Sequence, residues 1–149
     1  MKNNERRNMP SARILIVEDE RQLVDTLRDL LEDRGYETEV ALNKQVALAI
    51  LQERNMDLLV ISTSFQENQG IEILQEIKKQ HPGLMVAMIC DQKSKRIESS
   101  AMRAGANIFI GKPLEEVNFL LQSVENLLES RFNVAAVPKK TKTYPKTRK

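Results

Sequence analysis

Side chains able to do chemistry follow four short apolar runs of the chain, near the point where each run ends. They are two carboxylates, a hydroxyl, a thiol and an ammonium, from Glu18, Asp19, Ser62, Cys90 and Lys112. Carboxylates can hold a divalent cation, a hydroxyl can be phosphorylated, and a thiol near a cation gains reactivity. Any such chemistry requires a fold that brings these separate positions together.

The apolar runs predict strands that are buried on both faces. Three of them are continuous, at Ile14–Val17, Leu58–Ile61 and Leu84–Ile89. Such runs are typical of parallel sheets covered by helices. Two further strands are predicted over 37–42 and 107–110.

Helical patterns alternate with these strands. Each of five segments places apolar residues on one helical face. The faces are Leu23, Leu27, Leu30 and Leu31; Val46, Ala47, Ile50 and Leu51; Ile71, Leu74 and Ile77; Ile97 and Ala101 (roughly 94–103); and Val117, Leu120, Leu121, Val124 and Leu128 (roughly 114–132). Gly35 predicts the end of the first helix, and Asn43 predicts the N-cap of the second.

Five strands alternating with five helices predict an α/β fold, a doubly wound five-stranded parallel sheet with helices on both faces. In such sheets, functional groups gather outside the carboxyl ends of the strands. All five of the chemistry-bearing residues are predicted at that edge.

From residue 12 to residue 130 the sequence resembles the receiver domain of two-component response regulators. The resemblance rests on four blocks: Ile14-Leu15-Ile16-Val17-Glu18-Asp19-Glu20, Asp57-Leu58-Leu59-Val60-Ile61, Gly70, and Ala104-Gly105-Ala106 through Lys112-Pro113. It implies the flavodoxin-like receiver fold, with the strands in the order 2-1-3-4-5.

The resemblance also implies roles for the residues that match. In this family two acids after the first strand help to hold Mg²⁺, and Glu18 and Asp19 fill those positions. A lysine followed by proline neutralises the phosphoryl group, which implies this role for Lys112 and makes Pro113 a candidate for a cis peptide bond. Phe109 falls at the position of the family's switch aromatic.

Two positions depart from the family pattern. Ser62 stands where the phosphate-accepting aspartate is expected, and Cys90 stands where a serine or threonine is expected. Asp57 is predicted at the opposite end of its strand, roughly 17 Å away, and Glu67 lies in the following loop, so neither replaces the aspartate. The only histidine, His81, is predicted at the far end of the sheet.

Because a neutral hydroxyl without an adjacent base is a poor nucleophile, aspartyl-phosphate chemistry is not expected. We expect no enzymatic activity and no cofactor, with weak Mg²⁺ binding at Glu18 and Asp19 at most, because one of three carboxylates is missing.

Each of these positions has a structural interpretation and a functional one. Lys112 either pairs with Asp19 or belongs to a residual ion site, and Ser62 is either a satisfied buried hydroxyl or a kinase substrate. Cys90 is either a small buried apolar side chain or a redox sensor. Phe109 either packs as an ordinary side chain or moves as a switch.

Charge divides the chain into an acidic body and basic ends. Residues 11–131 hold 14 Lys and Arg against 20 Asp and Glu, whereas residues 132–149 hold six basic residues and no acid. We expect a disordered basic arm over 1–11, a receiver-like domain over 12–132, a disordered basic tail over 133–149, and no second folded domain. With no candidate membrane span, no signal sequence and a single cysteine, a cytoplasmic location is expected.

These features predict a phosphorylation-independent protein-interaction module of signal transduction. Its partner surface is predicted on the fourth helix, fifth strand and fifth helix, where a homodimer is one option. The charged residues of that surface are Lys95, Arg96, Arg103, Glu115 and Glu116. Two alternatives remain: a Mg²⁺-dependent phosphoacceptor, and a binder of nucleic acid or an acidic partner through the basic tail.

Overall fold

The computed structural model describes residues 12–90, 94–111 and 117–132. The predicted arm and tail, Lys112, Pro113, Glu115 and Glu116 lie outside the described residues.

The five strands form one parallel sheet. They are β1 (Arg13–Val17), β2 (Glu37–Ala41), β3 (Leu58–Ser62), β4 (Met85–Cys90) and β5 (Ile108–Gly111). The strand order is β2-β1-β3-β4-β5. This confirms both the predicted fold class and the order that the family resemblance implied.

Six helical segments connect the strands and follow the last one. They are α1 (Arg21–Asp33), α2 (Lys44–Glu53), α3 (Phe65–Asn68), α4 (Gly70–Gln80), α5 (Lys95–Ala104) and α6 (Val117–Phe132). The prediction of five helices missed α3. This segment is a single turn with left-handed backbone at Gln66, Glu67 and Asn68, and it is too short to produce an apolar period.

Local sequence signals set several helix ends as predicted. Gly35 adopts a positive φ of 94° after α1, a conformation that costs glycine little. Its N–H donates to the Glu32 carbonyl while the Tyr36 N–H donates to the Leu31 carbonyl, which closes the last turn. At the start of α2, the Asn43 side chain accepts a hydrogen bond from the Val46 N–H at 2.9 Å.

Two apolar clusters cover the two faces of the sheet. One joins the sheet to α2, α4 and α5, and includes Leu15, Leu59, Val86, Leu51, Leu74 and Ala101. The other joins it to α1 and α6, and includes Ile14, Val60, Ile89, Leu27, Leu121 and Val124. Because each fully buried aliphatic side chain contributes about 1.5–3 kcal/mol, these clusters dominate the stability of the fold.

One predicted core position is wrong. Val46, assigned to the inner face of α2, is 40% exposed. The buried stripe of α2 is Ala47 and Leu51, and Val46 lies beside this stripe, one residue before the fully buried Ala47. Leu30 and Ile50 are only partly buried.

Among the described residues, no helix combines the length and the apolar character needed to cross a bilayer.

Candidate functional site

The register of the parallel strands places the sequence-predicted site residues at one edge of the sheet. Val17 of β1 pairs with Ile61 of β3, so the residues that follow them, Glu18 and Ser62, lie side by side. Ser62 in turn pairs with Ile89 of β4, the residue before Cys90. The carboxyl edge therefore brings together Glu18, Ser62 and Cys90, with Asp19 next to Glu18 in the chain.

Ser62 is the last residue of β3 and is 1% exposed. Its Oγ lies 2.8 Å from the Oγ of Ser64. It also accepts a hydrogen bond from the Ser64 N–H at 3.2 Å. These contacts favour the interpretation of a buried, satisfied hydroxyl over that of a kinase substrate, because a kinase must reach the oxygen.

The two acids after β1 have different environments. Glu18 is buried, at 2% exposure, and its Oε2 accepts the Glu20 N–H at 2.8 Å. Asp19 is exposed, and its Oδ2 accepts the Gln66 N–H at 3.1 Å. Main-chain donors thus orient both carboxylates at the sheet edge.

Glu18 and Asp19 are the acids that the family resemblance assigns to Mg²⁺. Magnesium takes an octahedral shell of oxygen atoms from carboxylates and water. Within residues 12–90, 94–111 and 117–132, no three His, Cys, Asp or Glu side chains group in a way that would hold a metal ion. Weak Mg²⁺ binding by Glu18 and Asp19 alone therefore stays a prediction.

Cys90, the only cysteine of the chain, ends β4 and is 1% exposed. Such burial favours the role of a small apolar side chain. The redox alternative depends on Lys112, which lies outside the described residues. Phe109 of β5 is partly buried and packs against the cluster formed with α2, α4 and α5.

The other ionisable candidates lie away from Ser62. Asp57 precedes β3 at the amino edge of the sheet, where its Oδ2 accepts the Arg13 N–H at 2.9 Å. His81 follows α4 at the same amino edge, and Glu67 is exposed in the loop after β3. The structure therefore places neither acid beside Ser62.

No pattern in the sequence indicates the contacts made by Gln66. Its N–H donates to Asp19, and its side-chain Oε1 accepts the Lys44 N–H at 2.7 Å. Lys44 also pairs through its Nζ with Glu76 at 3.0 Å. A glutamine in a polar loop carries no motif, so only the three-dimensional arrangement reveals these bonds.

Gly70 fixes how closely the loop after β3 returns to the strand. A Cβ added to Gly70 would lie 2.0 Å from the Ser62 carbonyl oxygen. The Gly70 N–H donates to the Thr63 carbonyl at 3.2 Å. This glycine belonged to the family pattern, and the structure supplies the steric reason for it.

Part of the predicted partner surface is described. Lys95, Arg96 and Arg103 are all exposed on α5. The acids expected to complement them, Glu115 and Glu116, lie outside the described residues, so their pairing stays a prediction.

A parallel sheet in the order β2-β1-β3-β4-β5, with acids directly after β1, is the arrangement of receiver domains. The family model of the response regulator receiver domain matches residues 14–139. The chain belongs to this family.

Several known proteins share this domain. The chain is 30% identical over 116 residues to the alginate biosynthesis transcriptional regulatory protein AlgB of Pseudomonas aeruginosa, and 33% identical over 119 residues to the nitrogen assimilation regulatory protein NtrX of Azorhizobium caulinodans. Both matches cover 78% of this chain and 26% of the relative, so the chain spans about a quarter of these relatives' length.

Solved structures agree with the fold. The receiver domain of NtrX from Brucella abortus is 37% identical, with a TM-score of 0.73, covering 78% of this chain and 98% of that one. A CheY-like receiver domain protein from Methanospirillum hungatei is 29% identical, with a TM-score of 0.72, covering 82% and 98%.

Proposed function

We propose that this chain is a receiver module in which Ser62 has replaced the phosphate-accepting aspartate, so that it acts in signal transduction as a phosphorylation-independent protein-interaction domain. One observation carries the proposal: the side chain at the carboxyl end of β3 is a buried hydroxyl engaged with Ser64. We place the module in the cytoplasm, with other proteins as its partners.

The chemistry of acyl phosphates supports the first part. Phosphate transfer to this edge needs a carboxylate nucleophile and positive charge to offset the phosphoryl oxygens. A serine hydroxyl needs a base to become nucleophilic. The one histidine of the chain, His81, lies at the opposite edge of the sheet.

The exposed face of α5 supports the second part. Lys95, Arg96 and Arg103 present cations on a domain whose body is acidic overall. Complementary charge gives specificity and speeds association, so an acidic face on a partner or on a second copy suits this surface.

The deciding experiment exposes the chain to Mg²⁺ with acetyl phosphate, and separately with beryllofluoride. We expect no mass adduct and no change in the amide NMR spectrum around residues 60–70. A phosphoryl adduct, or a spectral change produced by beryllofluoride, would instead establish a Mg²⁺-dependent phosphoacceptor.

The matched variant is Ser62→Asp, which supplies the missing carboxylate. Phosphorylation of this variant but not of the wild type would assign the loss of reactivity to position 62. Phosphorylation of both proteins would contradict the proposal.

The nucleic-acid alternative depends on residues 133–149, which lie outside the described residues. Removal of the chain after Phe132 tests it, because a tail-dependent affinity for nucleic acid disappears with the tail and weakens with salt.

A further inference from the structure

We propose that Gln66 is a built-in latch that holds three loops of the carboxyl edge together without a bound ligand. The inference deepens the proposed function and rests on it for its biological role. The contacts themselves are testable whether or not the chain accepts phosphate.

One end of the latch is the main chain of Gln66. Its N–H donates to Asp19 Oδ2 at 3.1 Å, which ties the loop after β3 to the loop after β1. This bond joins the two loops through protein atoms alone.

The other end of the latch is the side chain of Gln66. Its Oε1 accepts the N–H of Lys44, the first residue of α2, at 2.7 Å. The first N–H groups of a helix lack partners within the helix, so an acceptor from another loop acts as a cap. Asn43 caps the neighbouring Val46 N–H, and Gln66 adds a cap from 22 residues away.

The backbone around the latch adopts a costly conformation. Gln66, Glu67 and Asn68 have φ values of 49°, 60° and 70°, a left-handed region that L-residues with a Cβ disfavour. A glycine would adopt it freely. The surroundings of three such residues must hold them in place, and the two bonds of Gln66 anchor the first of the three.

Amide hydrogen exchange of the full chain, with and without Mg²⁺, tests the latch. We expect the amides of Lys44 and Gln66 to be protected to the same degree in both conditions. In Gln66→Met, which keeps the size but lacks the acceptor, the Lys44 amide should exchange about fivefold faster, the effect expected for one lost hydrogen bond. Gln66→Glu, which restores an acceptor, should return the protection.

A second variant tests the other end, and a third is the control. Asp19→Ala should speed exchange at the Gln66 amide by about the same factor. Gln69→Ala changes an exposed glutamine of the same loop and should leave the Lys44 amide unchanged.

Two outcomes would overturn the latch: wild-type protection at Lys44 in Gln66→Met, or protection that appears only when Mg²⁺ is added. Neither outcome bears on the phosphoryl adduct that decides the proposed function, so the two ideas fail separately.

Discussion

At the scale of single residues, the site is defined by what each side chain already contacts. The Ser62 hydroxyl is buried against Ser64, and the Asp19 carboxylate accepts a main-chain N–H from Gln66. These groups are satisfied within the chain. A receiver edge of this kind keeps its shape through its own hydrogen bonds.

Replacing Gly70 tests how closely the loop after β3 packs against the end of that strand. Gly70→Ala would place a Cβ 2.0 Å from the Ser62 carbonyl oxygen, a backbone atom that cannot move aside without shifting β3. We expect a loss of about 3 kcal/mol in the free energy of unfolding, measured by urea denaturation.

Gly83→Ala is the matched control, because a Cβ at Gly83 meets nothing within 4 Å. Its effect should stay within about 0.5 kcal/mol. Equal effects of the two substitutions would show that the loop after β3 tolerates a side chain at Gly70.

The sequence predicted which residues reach the carboxyl edge but not what they bind there. Strand ends follow from apolar runs, so the positions of Glu18, Ser62 and Cys90 were foreseeable. Hydrogen bonds such as Gln66 to Lys44 join residues 22 positions apart in polar loops. No periodicity encodes such bonds.

At the scale of elements, the side chain of Lys78 in α4 lies against Gly105 at the end of α5. Lys78 of α4 passes over Gly105, where an added Cβ would lie 2.8 Å from the Lys78 Cγ and Cε atoms. Its Nζ donates to the carbonyls of Pro82 and Leu84, each at 2.8 Å. The ammonium thus satisfies two carbonyl groups that follow the end of α4. Burial lowers the pKa of Lys78 below the usual 10.5.

This lowered pKa predicts a pH dependence of stability. The folded state releases the Lys78 proton at a lower pH than the unfolded state, so between the lowered pKa and 10.5 the unfolded chain binds more protons. The contribution of Lys78 to stability should therefore rise with pH through this window and level off above it.

Urea denaturation gives the free energy of unfolding of the wild type and of Lys78→Met at several alkaline pH values. The difference between the two proteins is the contribution of Lys78. Lys79→Met, which changes the exposed neighbour, is the control. A difference between the wild type and Lys78→Met that falls toward alkaline pH would contradict the assignment.

Element prediction succeeded where a segment was long enough to show a period. The strands and the five longer helices were identified. Helix α3 was missed because its four residues are too few to show an apolar period. Val46 was misplaced because four adjacent apolar residues mark a wider face than α2 buries, which is Ala47 and Leu51.

At the scale of the whole molecule, the exposed cations of α5 begin at the same carboxyl edge of the sheet as the acids of the site, because α5 follows β4. Lys95 and Arg96 occupy the first turn of α5 and are exposed. An interaction surface on this helix is the second part of the proposed function, and it can be tested without phosphate chemistry at Ser62.

Charge reversal of this surface tests the interaction role. The double variant Lys95→Glu and Arg96→Glu should still fold, because acids are favourable in the first turn of a helix. We expect self-association or partner affinity to fall about tenfold through lost charge complementarity. Sedimentation equilibrium measures the dimer, and titration with a purified partner measures the complex.

Arg21→Glu places the same reversal at the start of α1, on another exposed position, and should leave association unchanged. Equal association of the wild type and the α5 variant would remove this surface from the proposed function.

The sheet order has a consequence for how the chain is made. Ile14 of β1 pairs with Thr38 of β2 and with Leu58 of β3, residues 24 and 44 positions later. During synthesis from the amino terminus, one hydrogen-bonding edge of β1 therefore has no partner strand until β3 has been made. Exposed strands of this kind are prone to aggregate, and flanking charges act as gatekeepers against it. Glu18, Asp19 and Glu20 follow the run directly, which is the position that gatekeeper charges take beside an apolar strand.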